Sequence, residues 1–167
     1  MLHPLLFIKP VLIAGLAFWL STACFNNIVD RATNRYFLRD MLNMTILKED
    51  ALLGKGLLAR SWKSNKRVST LLWGIVGLQA AIAISLWSSA ILLSMTIFDI
   101  HYLNLALHMA NWSLLGFMIF WLWFLCGGLW FGYWIKMSHV QITHLLLLTI
   151  ALLSMIVINL PLEWSLA

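Results

Sequence analysis

The stretch FNNIVDRATN, Phe25–Asn34, follows the first apolar run and is the densest group of amide and carboxylate side chains beside a candidate membrane span. On a helix, Asn26, Asp30 and Asn34 recur at i, i+4 and i+8, and Asn27 precedes Asp30 by three and Asn34 by seven, so the four groups share one face. Such a face either caps a helix end among lipid headgroups, which is routine at span flanks, or forms a binding site or a lock against another subunit. For Asp30 the lock is the sharper expectation, because three amides and a carboxylate exceed what a single helix end requires. His144 lies within an apolar run, where an ionisable group is a site hypothesis by default, though it stands little more than a turn beyond the polar Lys136–His139 stretch. His101 and His108 are seven apart, a spacing a metal or haem site could use, but they lack a partner motif and read as interface histidines. Cys24 and Cys126 fall in apolar runs and read as small buried hydrophobes, with no disulfide. Gly54 and Gly56 have the wrong spacing for a phosphate-cradling loop. With no paired carboxylates, metal-spaced ligands or activated nucleophile, no catalytic residue, metal or cofactor is expected. The weak ligand-site candidates are Asn26, Asn27, Asp30 and Asn34, with Trp130 and His144 across the bundle.

The elements that must position these groups are set by lipid. Of 167 residues 62% are hydrophobic and 10% charged, which lies outside soluble globular composition. Ten Trp and nine Phe suit rings that anchor at interfaces and pack between helices. Apolar runs near 8–29, 69–98, 112–135 and 142–161 are each of helix length, and backbone polar groups in lipid must be satisfied internally. The expectation is an all-α, integral membrane four-helix bundle forming one transmembrane domain over 1–167. Ser21-Thr22-Ala23 before Cys24 faintly resembles a lipoprotein cleavage box, but Ser21 stands where an aliphatic residue is required, so cleavage is not expected.

Asp30–Ser69 is the one substantial hydrophilic segment and carries nine of the eleven Lys and Arg. The net charge of +5 therefore points to topology and anionic lipid, through Arg60, Lys63, Lys66 and Arg67, rather than to nucleic acid. Tyr36, Phe37, Met41, Leu42 and Met44 form a patchy apolar stripe, as in an interfacial amphipathic helix continuing from span one. Gly77 with Ala81, and Gly127, Gly128 and Gly132, are expected at helix–helix contacts, and Gln79 should bond another helix because an unpaired amide in lipid is costly. Asp99–Asn111, the connection between spans two and three, has no Lys or Arg, so charge asymmetry places the first loop in the cytoplasm and both termini outside.

Several phrases together give the chain a family likeness: FNN-x-x-D-x-x-x-N at Phe25–Asn34, Phe37 with Leu42-x-Met44, GG-x-WF-x-x-W at Gly127–Trp134, and Asn159-Leu160-Pro161 with Glu163. In these the chain resembles, nearly end to end, the bacterial family of predicted small integral membrane proteins termed domain of unknown function 2165. The resemblance implies a multi-pass protein of the bacterial inner membrane and promises no activity. It also implies a His at Asp40, an Asp at Thr45 and a Glu at Leu129, so any shared chemistry using those groups is missing here. Typical relatives carry the basic loop between spans two and three, which implies the opposite orientation to this chain's own charges.

Three functions remain in view. The leading one is a non-catalytic accessory subunit or assembly partner that packs against another membrane protein or itself. The alternative is a binder of a quinone, haem or lipid between spans one, three and four, near Asp30, Trp130 and His144. A transporter or channel is the weakest, because few intramembrane charges are present to line a water path.

Overall fold

The computed structural model describes residues 4–162; Glu163, part of the family phrase near the end, lies outside them. The described residues form helices without strands: α1 Leu5–Val29, α2 Arg31–Asn43, α3 Thr45–Glu49, α4 Asn65–Met95, α5 Leu103–Phe131 and α6 Ser138–Ile158. The four long ones, α1, α4, α5 and α6, are apolar and long enough to cross a membrane. They run up, down, up and down, with α4 packed on α1 and α5, and α5 on α6. Ile13, Leu20, Leu86, Leu114, Phe117 and Ile158 are fully buried between them, while Phe18, Ile84, Ile119 and Leu153 face outward, as expected where the surroundings are lipid.

Helix ends depart from the expected spans where local chemistry sets them. The expected connection at 99–111 shrinks to a tight turn, because the Asp99 carboxylate accepts from His101 N at 3.0 Å and lets α5 begin at Leu103. His101 then pairs with Asp99 at 2.7 Å while His108 accepts from Trp112 Nε1 at 3.0 Å, so the two histidines serve different contacts. Span three ends at Phe131 rather than Ile135, since Gly132 turns left-handed at φ 65°. A Cβ there would stand 2.7 Å from Leu57 Cδ1, so Gly132 stops the helix and admits Leu57 and is not a helix-crossing residue.

Polar side chains within the spans tie helix to helix. Ser113 of α5 lies 2.6 Å from Ser85 Oγ and 2.9 Å from Ser89 Oγ of α4. Trp87 Nε1 donates to Ser21 Oγ at 3.1 Å, and Asn111 and Asn159 exchange bonds of 3.0 and 2.8 Å. Lys9, 2% exposed, donates from Nζ to Leu160 O at 2.8 Å just beyond the end of α6, where the helix dipole favours a cation.

The basic segment is more than an approach to the membrane. Helix α2 continues α1 after a bend at Asp30 and packs along α4. Its Leu42 joins Met44, Leu47, Val68, Phe131 and Tyr133 in a second small core, with Leu57, Leu58 and Trp62 against it. Trp62 N donates to Leu42 O at 2.8 Å, and its ring meets Phe131 edge-on. Asp50 fastens this cap to the turn after α5. Its carboxylate accepts from Leu53 N and Leu52 N at 2.8 and 2.9 Å and pairs with Lys136 Nζ at 2.7 Å. These bonds, the Leu53 N–H foremost, hold the Asp50 carboxyl well below the usual carboxylate range.

Candidate functional site

The bend at Asp30 divides the amide-rich stretch between two directions. Asp30 ends α1 and begins α2 with φ −108° and ψ 54°, and its Oδ1 accepts from Thr33 N at 3.3 Å, a local cap. Asn26 and Asp30 are exposed. Asn27 instead turns inward and donates from Nδ2 to Gln79 Oε1 of α4 at 2.8 Å. This is the helix-to-helix bond that Gln79, 4% exposed, requires in lipid. Asn34 donates from Nδ2 to the carbonyl of Asp30 at 3.0 Å and faces the same space as Asn27.

That space is a cleft of about 270 Å³. Its floor is α4 at Leu72, Ile75 and Gln79; α2 contributes Asn34, Phe37, Leu38 and Met41, and the far wall is Trp121, Phe124, Gly127 and His144. Phe37 and Trp123, 50% and 44% exposed, stand at its edge, so the cleft opens sideways. At about 1.5 Å per residue, Gln79 stands about 24 Å along α4 from Met95, at the middle of this long helix. The cleft lies toward the end of the bundle that carries the basic cap, sharing Leu42, Phe131 and Tyr133 with it.

Its far wall is an aromatic stack with unmet polar atoms. Trp121 and His144 stack at 5.3 Å between centroids and 25° between planes, and Phe124 tilts against His144 at 4.9 Å. Trp19 of α1 meets the other side of Trp121 edge-on at 5.5 Å. Both Trp121 and His144 are at least nine-tenths buried, and Trp121 Nε1 and His144 Nδ1 have no hydrogen-bond partner. Tyr133 is satisfied, its hydroxyl donating to Phe124 O at 2.8 Å.

The two central glycines do different work. A Cβ on Gly128 would overlap the side-chain amide of Gln141, which packs there and donates to Leu125 O at 2.9 Å, so Gly128 permits α6 to approach α5. Gly127 faces the cleft, with nothing within 4 Å of a Cβ. Gly77 and Ala81 are exposed; small residues of α4 that do meet other helices are Ala83, Ser85, Ser89 and Ala90. Trp130 is outside the cleft, exposed, with the Arg60 guanidinium 4.6 Å over its ring and Arg60 Nη1 donating to its carbonyl at 3.4 Å. Of the six ligand-site candidates the structure thus gathers Asn27, Asn34 and His144, and leaves out Asn26, Asp30 and Trp130. Trp121 was missed in the sequence reading. It is one of several tryptophans in its span, and only the tertiary stack distinguishes it.

Both cysteines are free, Cys24 buried with Sγ 3.6 Å from Val76 O, and Cys126 exposed on the outer face of α5. Among the described residues no three His, Cys, Asp or Glu side chains gather as a metal would need.

Fold and cleft together define a small polytopic membrane protein, a four-helix bundle with an amphipathic cap. Over residues 5–161 the chain matches the family described as predicted small integral membrane protein (DUF2165), and it belongs to that family. No curated protein and no solved structure matches the chain.

Proposed function

We propose that this protein is a non-catalytic binder of a lipid-like amphiphile, held in the cleft between α1, α2, α4, α5 and α6 in a bacterial inner membrane. The observation that carries the reading is a mostly apolar, laterally open cleft on which a few polar side chains, Asn27, Asn34, Gln79 and His144, converge, the usual make-up of a small-molecule site. Binding rather than turnover is favoured because the described lining offers amides, a phenol and an imidazole but no carboxylate, thiol or cation. Gly127→Leu tests it. The new side chain would fill the cleft while improving helix propensity, so the variant should fold as well as the parent yet lose a co-purifying amphiphile, measured by extraction from protein in mild detergent. An unchanged complement of bound molecules in Gly127→Leu would overturn the proposal.

A second reading, an accessory subunit, is favoured by one observation: Gly74, Gly77 and Ala81 leave an uncovered face on α4, and a Cβ on either glycine would have nothing within 4 Å. Small residues of this kind let a second helix backbone come close. Crosslinking from Leu78→Cys, on that face, should then capture one discrete partner or a second copy. A lone chain at every expression level would remove this reading.

A further inference from the structure

We propose that the amide pair Asn27–Gln79 is the recognition element of the cleft, and that it takes an uncharged alcohol head group of the kind carried by a mono- or diacylglycerol. The inference rests on the cleft being a ligand site and adds the chemistry of the contact.

The pair is joined by one hydrogen bond, from Asn27 Nδ2 to Gln79 Oε1 at 2.8 Å. One bond between two primary amides always leaves one donor group and one acceptor unused. Here these are Gln79 Nε2 and Asn27 Oδ1, which have no hydrogen-bond partner among the described residues. Neither is sealed in by protein, in contrast to Trp121 Nε1 and His144 Nδ1. Gln79 is 4% exposed and lines the cleft, so the small surface its amide keeps opens there, with Asn27 beside it. Asn34 lines the same space, and its Oδ1 is also without a bond. An amide N–H held away from water without an acceptor is costly. In a cleft that opens sideways between spanning helices, the missing partners are carried in by the amphiphile itself.

The polar set, one donor group and two acceptors, narrows the head group. An alkyl chain answers none of it. A quinone ring offers carbonyl acceptors alone and would leave the Asn27 and Asn34 oxygens unmet. A carboxylate or phosphate would place an anion where the described lining holds no Lys or Arg, and a cationic head would find no Asp or Glu there; an unpaired charge out of water is strongly disfavoured. A hydroxyl both donates and accepts, so the neighbouring hydroxyls of a glyceride can answer Gln79 Nε2 and Asn27 Oδ1 together. At about 270 Å³ the cleft is slightly smaller than sites that enclose a whole small molecule, about 300–1,000 Å³. It holds the head and the start of a chain, and the rest leaves past Phe37 and Trp123 at its edge.

The test uses delipidated full-length protein in mild detergent and four probes of equal chain length: a monoacylglycerol, its di-O-methyl ether, the free fatty acid and an alkyl benzoquinone. The ether keeps every oxygen and loses both donors. Binding is read by native mass spectrometry and by shift in melting temperature. The monoacylglycerol should bind about ten-fold tighter than its ether and tighter than the acid or the quinone. The double variant Asn27→Leu with Gln79→Leu removes both partners of the pair at once, a change that is nearly neutral for stability, and should bind the alcohol and the ether equally. Gly127→Leu should weaken both together. Equal binding of alcohol and ether by the parent protein, a preference that survives the double variant, or tighter binding of the acid or the quinone would overturn the inference while leaving an amphiphile cleft standing. Binding of no probe, together with no native amphiphile, would overturn both. The alcohol–ether comparison needs no mutation, so it decides even if the double variant fails to fold.

Discussion

Gly127 and Gly128 are neighbours in sequence and opposites in consequence. A methyl at Gly128 displaces the flexible Gln141 amide and its bond to Leu125 O, so Gly128→Ala should cost about 1 kcal/mol, visible as a lower melting temperature in detergent. Gly127→Ala meets open space and should be neutral or slightly stabilising in the same assay. The sequence announces a glycine pair suited to close packing, but which member faces a helix depends on helix rotation, which an all-apolar span does not encode. Gln79 is the contrary case. An amide in lipid has to find a partner on another helix, so that contact was legible, whereas the choice of Asn27 over its three polar neighbours was set by the bend at Asp30. Because Asp30 caps Thr33 N through an oxygen that asparagine also carries, Asp30→Asn should shift stability by no more than about 0.5 kcal/mol, and Asp30→Ala should cost about 1 kcal/mol. Release of a co-purifying subunit by Asp30→Asn would instead revive the intersubunit lock.

At the scale of elements, the segment between α2 and α4 behaves as a lid clamped over one end of the bundle. Its amphipathic start was readable from the apolar residues of α2, with the inward face formed by Leu38 and Leu42 while Tyr36 and Phe37 stay exposed. The rest was not, because Leu47, Leu57, Leu58 and Trp62 are too sparse to show a period and converge only through the left-handed turns at Met44 and Gly54. The Asp50–Lys136 pair is the electrostatic part of the clamp. Since folding lowers the Asp50 pKa, its contribution is fully present above the ordinary carboxylate value of about 3.9 and is lost as pH falls below it. Hydrogen exchange of residues 51–62 should therefore show constant protection between about pH 5 and 8. Asp50→Asn, which keeps an acceptor for Leu52 and Leu53 but removes the ion pair, should raise exchange there and leave the four spans protected.

For the whole molecule, length and hydropathy made the four-helix membrane bundle legible, while the neighbours of each helix came only from side chains such as Ser113, Asn159 and Trp121. With ten cations on one end of the bundle, nine in 30–69 and Lys136, and none in the Asp99–Tyr102 turn at the other, we propose that the cap faces the cytoplasm. In a background lacking Cys24 and Cys126, Ser64→Cys should be shielded from an impermeant thiol reagent in intact cells and Asn104→Cys should react; the reverse pattern would place the cap outside. The bond from Lys9 to Leu160 joins residues 151 positions apart, which gives it a place in time as well as in space. During synthesis the lysine precedes its acceptor by those 151 positions, so three further spanning helices, α4, α5 and α6, must be made and inserted before the charge is answered. A chain cut short before Leu160 would keep an uncompensated cation at the membrane edge, the kind of defect by which membrane quality control can tell an unfinished protein from a finished one.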